Sequence, residues 1–279
     1  MAITKFQRTI WSKKLNSALE TITSLRNHCD FKYEGDIEGA KEVKILNVVR
    51  PTIETYVPGT DLVLEVPTDA DQILKIDQFK YFNFAVEDID KAQSTPGLME
   101  ELTKEATRGL VEEGDKYVAS LVKAGVEALV SPLAQNTAAV APAKATIVGE
   151  VEAGFAHLYS KNCKISDIYH FEVDPTVFVE FRQALTELFT NNIEMAKKGY
   201  VGAYGNAKVS IENLLPKNNV GNEVYNILRT NKAIAFAEQI NKVEAYRPEK
   251  AFSDALRALY VFGAKIIRPE EIYVIKTTK

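Results

Sequence analysis

Apolar and polar residues alternate around residue 80. Ile76, Phe82, Phe84 and Val86 fall on one side of an extended chain, and Tyr81, Asn83 and Ala85 on the other. A period of two is the pattern of a half-buried strand. The acidic residues Glu87, Asp88 and Asp90 follow, and then the period changes. Thr95 is placed to cap a helix, and Pro96 to fill its first position, where no amide hydrogen bond is lost. Glu100 and Glu101 fall in the first turn, at the positive end of the helix dipole. Leu98, Leu102, Ala106 and Leu110 recur every four residues, and Tyr117, Val118, Leu121 and Val122 continue the stripe. Lys123 and Gly125 supply a stop. Gly97 to Ala124 therefore predicts a rod of 28 residues, about 42 Å long and longer than the usual globular helix. Gly109 and Gly114 inside it each cost about 1 kcal/mol against Ala. They predict a bend or a close approach by another backbone.

Ahead of this stretch, residues 1–30 read as an arm. Phe6, Ile10, Leu15 and Leu19 sit at helical spacing around Trp11. Such a short helix is unstable alone and must lean on something, either protein or a membrane surface. Residues 31–86 are strand-rich. Val43, Ile45, Asn47 and Val49 alternate with Lys44, Leu46 and Val48. Pro58-Gly59-Thr60-Asp61 is a turn signal, so a long β-hairpin is expected from about Pro51 to Pro67. Ile53, Val57, Leu62, Val63, Leu64 and Val66 make both of its faces apolar. A two-stranded ribbon is marginal by itself; it packs on its own domain or waits for a partner.

After the rod, Ser131 to Lys144 reads as a connector or exposed loop, and 145–172 as mixed helix and strand. Asp174-Pro175 opens a second helix carrying Val177, Phe178, Phe181, Leu185, Leu188, Phe189 and Ile193, with Gly199 at its end. A strand from Ala207 to Ile211 follows, then a strand or strand pair from Lys232 to Val243. Ala245 to Pro248 reads as a turn, and Ala251 to Arg257 as the start of a helix. Leu259 to Ile267 and Glu271 to Lys276 read as closing strands.

Composition narrows the classes. A net charge of −4 over 279 residues gives no global basic field for nucleic acid. No run of 18 apolar residues is present, and the start lacks a signal-peptide core, so no membrane partner is expected. Cys29 and Cys163 make no disulfide framework. Charge is uneven, however. Residues 1–32 carry six basic groups against two acidic ones, and residues 87–115 nine acidic against three basic. The two segments are placed to attract each other, within or between subunits.

Candidate chemistry is sparse. Gly199, Gly202 and Gly205 follow a helix and precede a strand, the reverse of a phosphate-cradling loop. His28, His157 and His170 show no metal-ligand spacing, and Glu87, Asp88 and Asp90 lie in no ordered cation loop. No hydrolase signature is found. No enzyme, metal or cofactor is expected; what the chain shows is extension.

Several segments, taken in order, resemble a known family. They are Phe31-Lys-Tyr-Glu-Gly-Asp-Ile-Glu38, Thr52-Ile-Glu-Thr-Tyr56, Ile76-Asp-Gln-Phe-Lys-Tyr-Phe-Asn-Phe84, Val86-Glu-Asp-Ile-Asp90, Gly202-Ala-Tyr-Gly205 leading into Asn213-Leu-Leu-Pro216, Val243-Glu-Ala-Tyr-Arg-Pro248 and Tyr260-Val-Phe-Gly-Ala-Lys265. The chain resembles a tailed-bacteriophage major capsid protein. The resemblance covers most of it and is weakest over 125–170.

The resemblance implies an α+β subunit of the Hong Kong-type phage capsid fold. It implies an N-terminal arm over 1–32, an extended loop hairpin and peripheral-domain strands over 33–95, and a spine helix over 96–130. An axial domain over about 131–245 and a return to the peripheral domain over 246–279 complete the expectation. The implied function is assembly, in the host bacterial cytoplasm, of an icosahedral virion shell around double-stranded DNA, built from hexamers and pentamers. A portal and, since no long extension precedes the arm, a separate scaffolding protein are implied partners. An encapsulin-type nanocompartment shell is the alternative within the fold, and an unrelated soluble enzyme the alternative outside it. The expected contacts between subunits are Lys5, Arg8, Trp11, Lys13 and Lys14 of the arm, Ile53, Tyr56, Leu62 and Leu64 of the ribbon, and Glu101 and Glu105 of the helix.

Overall fold

A computed structural model of the chain describes residues 25–33, 42–47, 53, 55, 70–87, 98–188, 202–218, 221–249 and 252–278. The expected helix start at Thr95-Pro96, the arm up to residue 24, the hairpin tip and the helix end near Gly199 lie outside the described residues.

Strand β1 (Glu42–Asn47) pairs antiparallel with β2 (Ala70–Lys75), from Glu42 opposite Lys75 to Asn47 opposite Ala70. This pair is the ribbon root; the hairpin expected from about Pro51 to Pro67 lies, apart from residues 53 and 55, outside the described residues. Strand β3 (Gln78–Glu87) follows, and its burial alternates as expected, with Val86 buried, Phe82 and Phe84 half-buried, and Tyr81, Asn83 and Ala85 exposed. Helix α1 (Leu98–Val126) runs for 29 residues, roughly 43 Å. The rod is real, but its buried face matches the expected one only in part. Leu110, Val118 and Val122 of the expected stripe are buried, but Leu102 is exposed, and the buried face also takes in Thr103, Thr107, Val111, Asp115 and Ala119. Thr107 tolerates this because its hydroxyl donates to the Thr103 carbonyl at 2.7 Å, satisfying itself along the helix. Gly114 is approached by side chains and not by another backbone: a Cβ there would stand 3.6 Å from the Tyr260 hydroxyl and 3.7 Å from Phe236. The helix also passes through the expected stop at Gly125, where a Cβ would come within 2.8 Å of Leu133.

The expected loop at 131–144 carries instead the short strand β4 (Ala134–Gln135), parallel to the last strand of the chain. Helix α2 (Lys144–Ser160) and strand β5 (Tyr169–Val173) resolve the mixed region. Asp174 caps helix α3 (Pro175–Leu188) as expected, its carboxylate accepting the Thr176 amide at 3.1 Å. A hairpin turning at Gly205, with φ of 57°, joins β6 (Ala203–Tyr204) to β7 (Ala207–Ile211). Gly205 thus makes a turn entering a strand, not a phosphate-cradling loop; Gly199 lies outside the described residues. Strands β8 (Lys217–Asn218) and β9 (Glu223–Thr230) follow. Strand β10 (Ile234–Tyr246) extends into the first half of the expected turn at 245–248. The helix expected over 251–257 is instead part of the long strand β11 (Ser253–Ile266), because every residue from Ser253 to Phe262 is paired with β3. Strand β12 (Ile272–Thr278) closes the chain.

The strands form three sheets: β1-β2, β10-β11-β3, and a mixed seven-stranded sheet ordered β4-β12-β9-β5-β7-β6 with β8 beside β9. The seven-stranded sheet separates two cores. Ile272, Val274, Tyr225 and Ile227 face α1 and the inner face of the three-stranded sheet, where Tyr260, Phe262 and Phe236 lie. Tyr273, Ile275, Leu228 and Phe171 face α2 and α3. A third, smaller core lies where Val43, Ile45, Leu74 and Ile76 of the ribbon root cover Ala235, Ala237 and Val261 on the outer face of the three-stranded sheet. Gly263 makes that crossing possible: a Cβ there would stand 2.1 Å from the Lys75 carbonyl oxygen. No helix among the described residues is long and apolar enough to cross a membrane.

Candidate functional site

Two kinds of feature stand out, an exposed surface and a buried polar junction. The surface begins at the ribbon. Ile53 is 81% exposed. Below the root, β3 is the terminal strand of its sheet, and its outward residues include Phe79 and Tyr81, 62% and 76% exposed. Beside them on the same face, Arg257 pairs with Glu244 and lies over the Tyr246 ring, and the Tyr246 hydroxyl donates to Asn83 at 3.1 Å. An exposed apolar surface beside a polar rim is the composition of a contact patch.

The expected contacts fare unevenly. Lys5, Arg8, Trp11, Lys13, Lys14, Tyr56, Leu62 and Leu64 lie outside the described residues. Glu101 lies in α1, with its side chain outside the description, and Glu105 is exposed on the same helix. Among the described residues, Ile53 and Glu105 are not brought together. The acidic charge of 87–115 is partly answered inside the chain. Glu112 accepts from Arg108 at 3.1 Å, and Glu113 meets Lys116 at 2.8 Å and Lys80 at 3.0 Å. Those two hydrogen bonds hold the Glu113 carboxyl below its ordinary range. Asp115 accepts the amide of Arg26 at 2.8 Å, one direct link between the two oppositely charged segments.

That link belongs to the buried junction. Residues 25–30 form a single 3-10 turn, Arg26–His28, ending at a bridge from Asp30 to Ala235. Arg229 of β9 is wholly buried and donates to both oxygens of Glu172 of β5 and, at 2.8 Å, to the Leu25 carbonyl. His28 meets Glu172 at 2.9 Å, and its ring stacks on His170 with centroids 3.9 Å apart. Burial raises the Glu172 carboxyl, but Arg229 and His28 outweigh it, so Glu172 stays below its ordinary value and ionised. The Arg26 guanidinium donates to Tyr260 at 2.8 Å and pairs with Glu238 at 2.5 Å. The neighbours His28 and Cys29 do diverge, the thiol turning back to the Leu25 carbonyl at 3.4 Å. Burial raises that thiol, which keeps it protonated and inert. No group of three His, Cys, Asp or Glu among the described residues is placed to hold a metal.

Sequence reasoning passed over Glu172, Arg229, Asp115 and Glu238. The signal was there: single charges embedded in the apolar runs Tyr169-His-Phe-Glu-Val173 and Val224-Tyr-Asn-Ile-Leu-Arg229. A charge in such a run needs a buried partner.

No family model matches the sequence, and no curated protein matches it. Solved structures do match. A structure from Mycobacterium phage Che8 superposes with a TM-score of 0.76 at 24% identity, covering 91% of this chain and 90% of the other. The capsid of Cyanophage P-SCSP1u superposes at 0.68 and 15% identity, covering 87% and 85%. The chain has the phage capsid fold. A virus-like particle from Pyrococcus furiosus shares it at a TM-score of 0.61 and 11% identity, covering 99% of this chain and 100% of the other. The rod α1 and the strand β3 are the described elements that the sequence pattern predicted.

Proposed function

We propose that this chain is the major capsid protein of a tailed phage, assembling through its own copies into the head shell around double-stranded DNA. The observation that carries this reading is the match, over about nine tenths of the chain, to capsid structures. The exposed apolar residues Ile53, Phe79 and Tyr81 support it, since a subunit of a shell keeps such groups for its neighbours. Many modest contacts make a lattice stable while each stays reversible.

In this reading residues 1–32 are the arm, anchored at 25–30. Residues 33–95 carry the extended ribbon, 96–130 the spine, 131–245 the axial domain, and 246–279 the return. The ribbon residues Ile53, Tyr56, Leu62 and Leu64 pack on an adjacent subunit. The basic arm residues Lys5, Arg8, Lys13 and Lys14, with Trp11, meet the Glu101 and Glu105 side of α1 in another copy. Scaffolding protein and portal act during assembly, and the DNA is held without sequence reading.

Negative-stain microscopy of the purified protein tests the reading. Closed shells are expected, and a monodisperse small oligomer at every concentration overturns it. Deleting residues 52–65 is expected to leave a folded subunit that forms no shells. Shells that contain a co-purifying enzyme instead of DNA would move the chain to the nanocompartment alternative.

A further inference from the structure

Residues 25–30 are gripped by three elements at once. Arg229 of β9 holds the Leu25 carbonyl, Asp115 of α1 holds the Arg26 amide, and Asp30 exchanges backbone hydrogen bonds with Ile234 and Phe236 of β10 at 2.8 and 3.0 Å. Two groups beneath this segment meet protons in opposite ways. His170 lies in β5 directly between Lys208 of β7 and Arg229 of β9 in the strand register. His28 stacks on the His170 ring from the 3-10 turn, and the His170 Nδ1 has no hydrogen-bond partner among the described residues. Glu172 lies two residues along the same strand and is already engaged by Arg229 and His28. A proton on His170 would add a third positive charge to the row. Asp115 has the reverse surroundings. It is 4% exposed, with Glu212 and Glu172 adding negative charge that opposes the cation Arg26. A protonated Asp115 still accepts the Arg26 amide. The buried Cys29 thiol stays neutral throughout.

We propose that residues 25–30 form a proton-compensated clasp: closing it expels a proton from His170 and takes one up at Asp115, so the grip stays constant through mildly acidic pH. Burial, then the neighbouring His28, pulls His170 from 6.5 to about 3, and burial pushes Asp115 from 3.8 to about 6. In the window between about pH 4 and pH 6, opening gains a proton at His170 and loses one at Asp115. Acid therefore favours opening through the first group and closure through the second. Each alone changes the opening constant about tenfold per pH unit, and together they cancel.

Amide hydrogen exchange on the full chain, corrected for the intrinsic pH dependence of exchange, tests this at the Asp30 and Phe236 amides. Between pH 4 and pH 6 the wild type is expected to keep an opening constant that is flat to within about threefold. In His170→Phe the opening constant falls about tenfold per unit of acidification relative to wild type, and in Asp115→Asn it rises by the same factor. Variants that keep the wild-type slope, or that shift it in one common direction, overturn the proposal. So does loss of protection at Val274, deep in the seven-stranded sheet, in parallel with Asp30, since the opening is then global. The measurement concerns the single subunit, so it stands or falls apart from the shell reading.

Discussion

The seven-stranded and three-stranded sheets treat polarity in opposite ways. The larger one is covered on both faces. From Val224 to Thr230 every residue of β9 is buried, and so is every residue of β5. Its polar groups are therefore inside and must be matched there. Asn226 accepts the Asp174 amide at 2.9 Å and donates to the Ile275 carbonyl and the Thr277 hydroxyl at 3.1 and 3.0 Å. Glu172 and Arg229 answer each other. The smaller sheet is covered by α1 on one face and, on the other, by the ribbon root at one end alone. Its odd residues are apolar groups turned outward, Phe79 and Tyr81. One sheet hides charge and the other displays hydrocarbon. Closed shells need both: a body that does not deform, and faces that are incomplete until a neighbour arrives.

The largest expected effect is in the covered sheet. Arg229→Met strands an ionised Glu172 and is expected to cost about 3–5 kcal/mol of unfolding free energy in urea titration, with most of it restored by adding Glu172→Leu. A single variant within about 1 kcal/mol of wild type would erase the contrast between the sheets. Gly263→Ala comes next. Its methyl group meets a backbone oxygen, so a loss of about 1–3 kcal/mol is expected, with loss of exchange protection confined first to β1 and β2. Asp115→Asn is expected to raise stability by on the order of 1–2 kcal/mol at pH 7. The sign follows from its raised pKa of about 6. The folded state binds the Asp115 proton more tightly than the unfolded state, so the contribution of this one group falls as pH rises from about 4 to 6; in the wild type the opposite titration of His170 offsets it, and in the variant stability rises with pH over that window. The smallest stability change is on the open sheet. Phe79→Ser with Tyr81→Ser is expected to stay within about 0.5 kcal/mol of wild type, while shell yield by microscopy drops. Intact yield would show that this face is not used between copies.

The same contrast explains what the sequence disclosed. Strand β3 is legible because one face is wet, so burial and residue type alternate together. Helix α1 is legible in length and over Leu110, Val118 and Val122, but not in its first turns: Thr103 is buried, Thr107 is buried with its hydroxyl bonded to the Thr103 carbonyl, and Leu102 is left in solvent. Strand β9 is hidden because it is buried throughout yet includes Asn226, Arg229 and Thr230. These polar residues break its period, and Asn226 and Arg229 find partners on other strands. Ser253 to Arg257 reads as helical by itself and is extended because β3 and β10 flank it. At the junction, Glu172 and Arg229 lie 57 residues apart, so their pairing is a property of strand order that no local pattern holds.

Gly263 gives the ribbon a fulcrum. Where Lys75 passes over it, carbonyl oxygen occupies the space of an absent side chain, so the root can neither slide nor roll without collision. On the shell reading, the β1-β2 pair is a fixed point of every subunit, locked to β11 at Gly263.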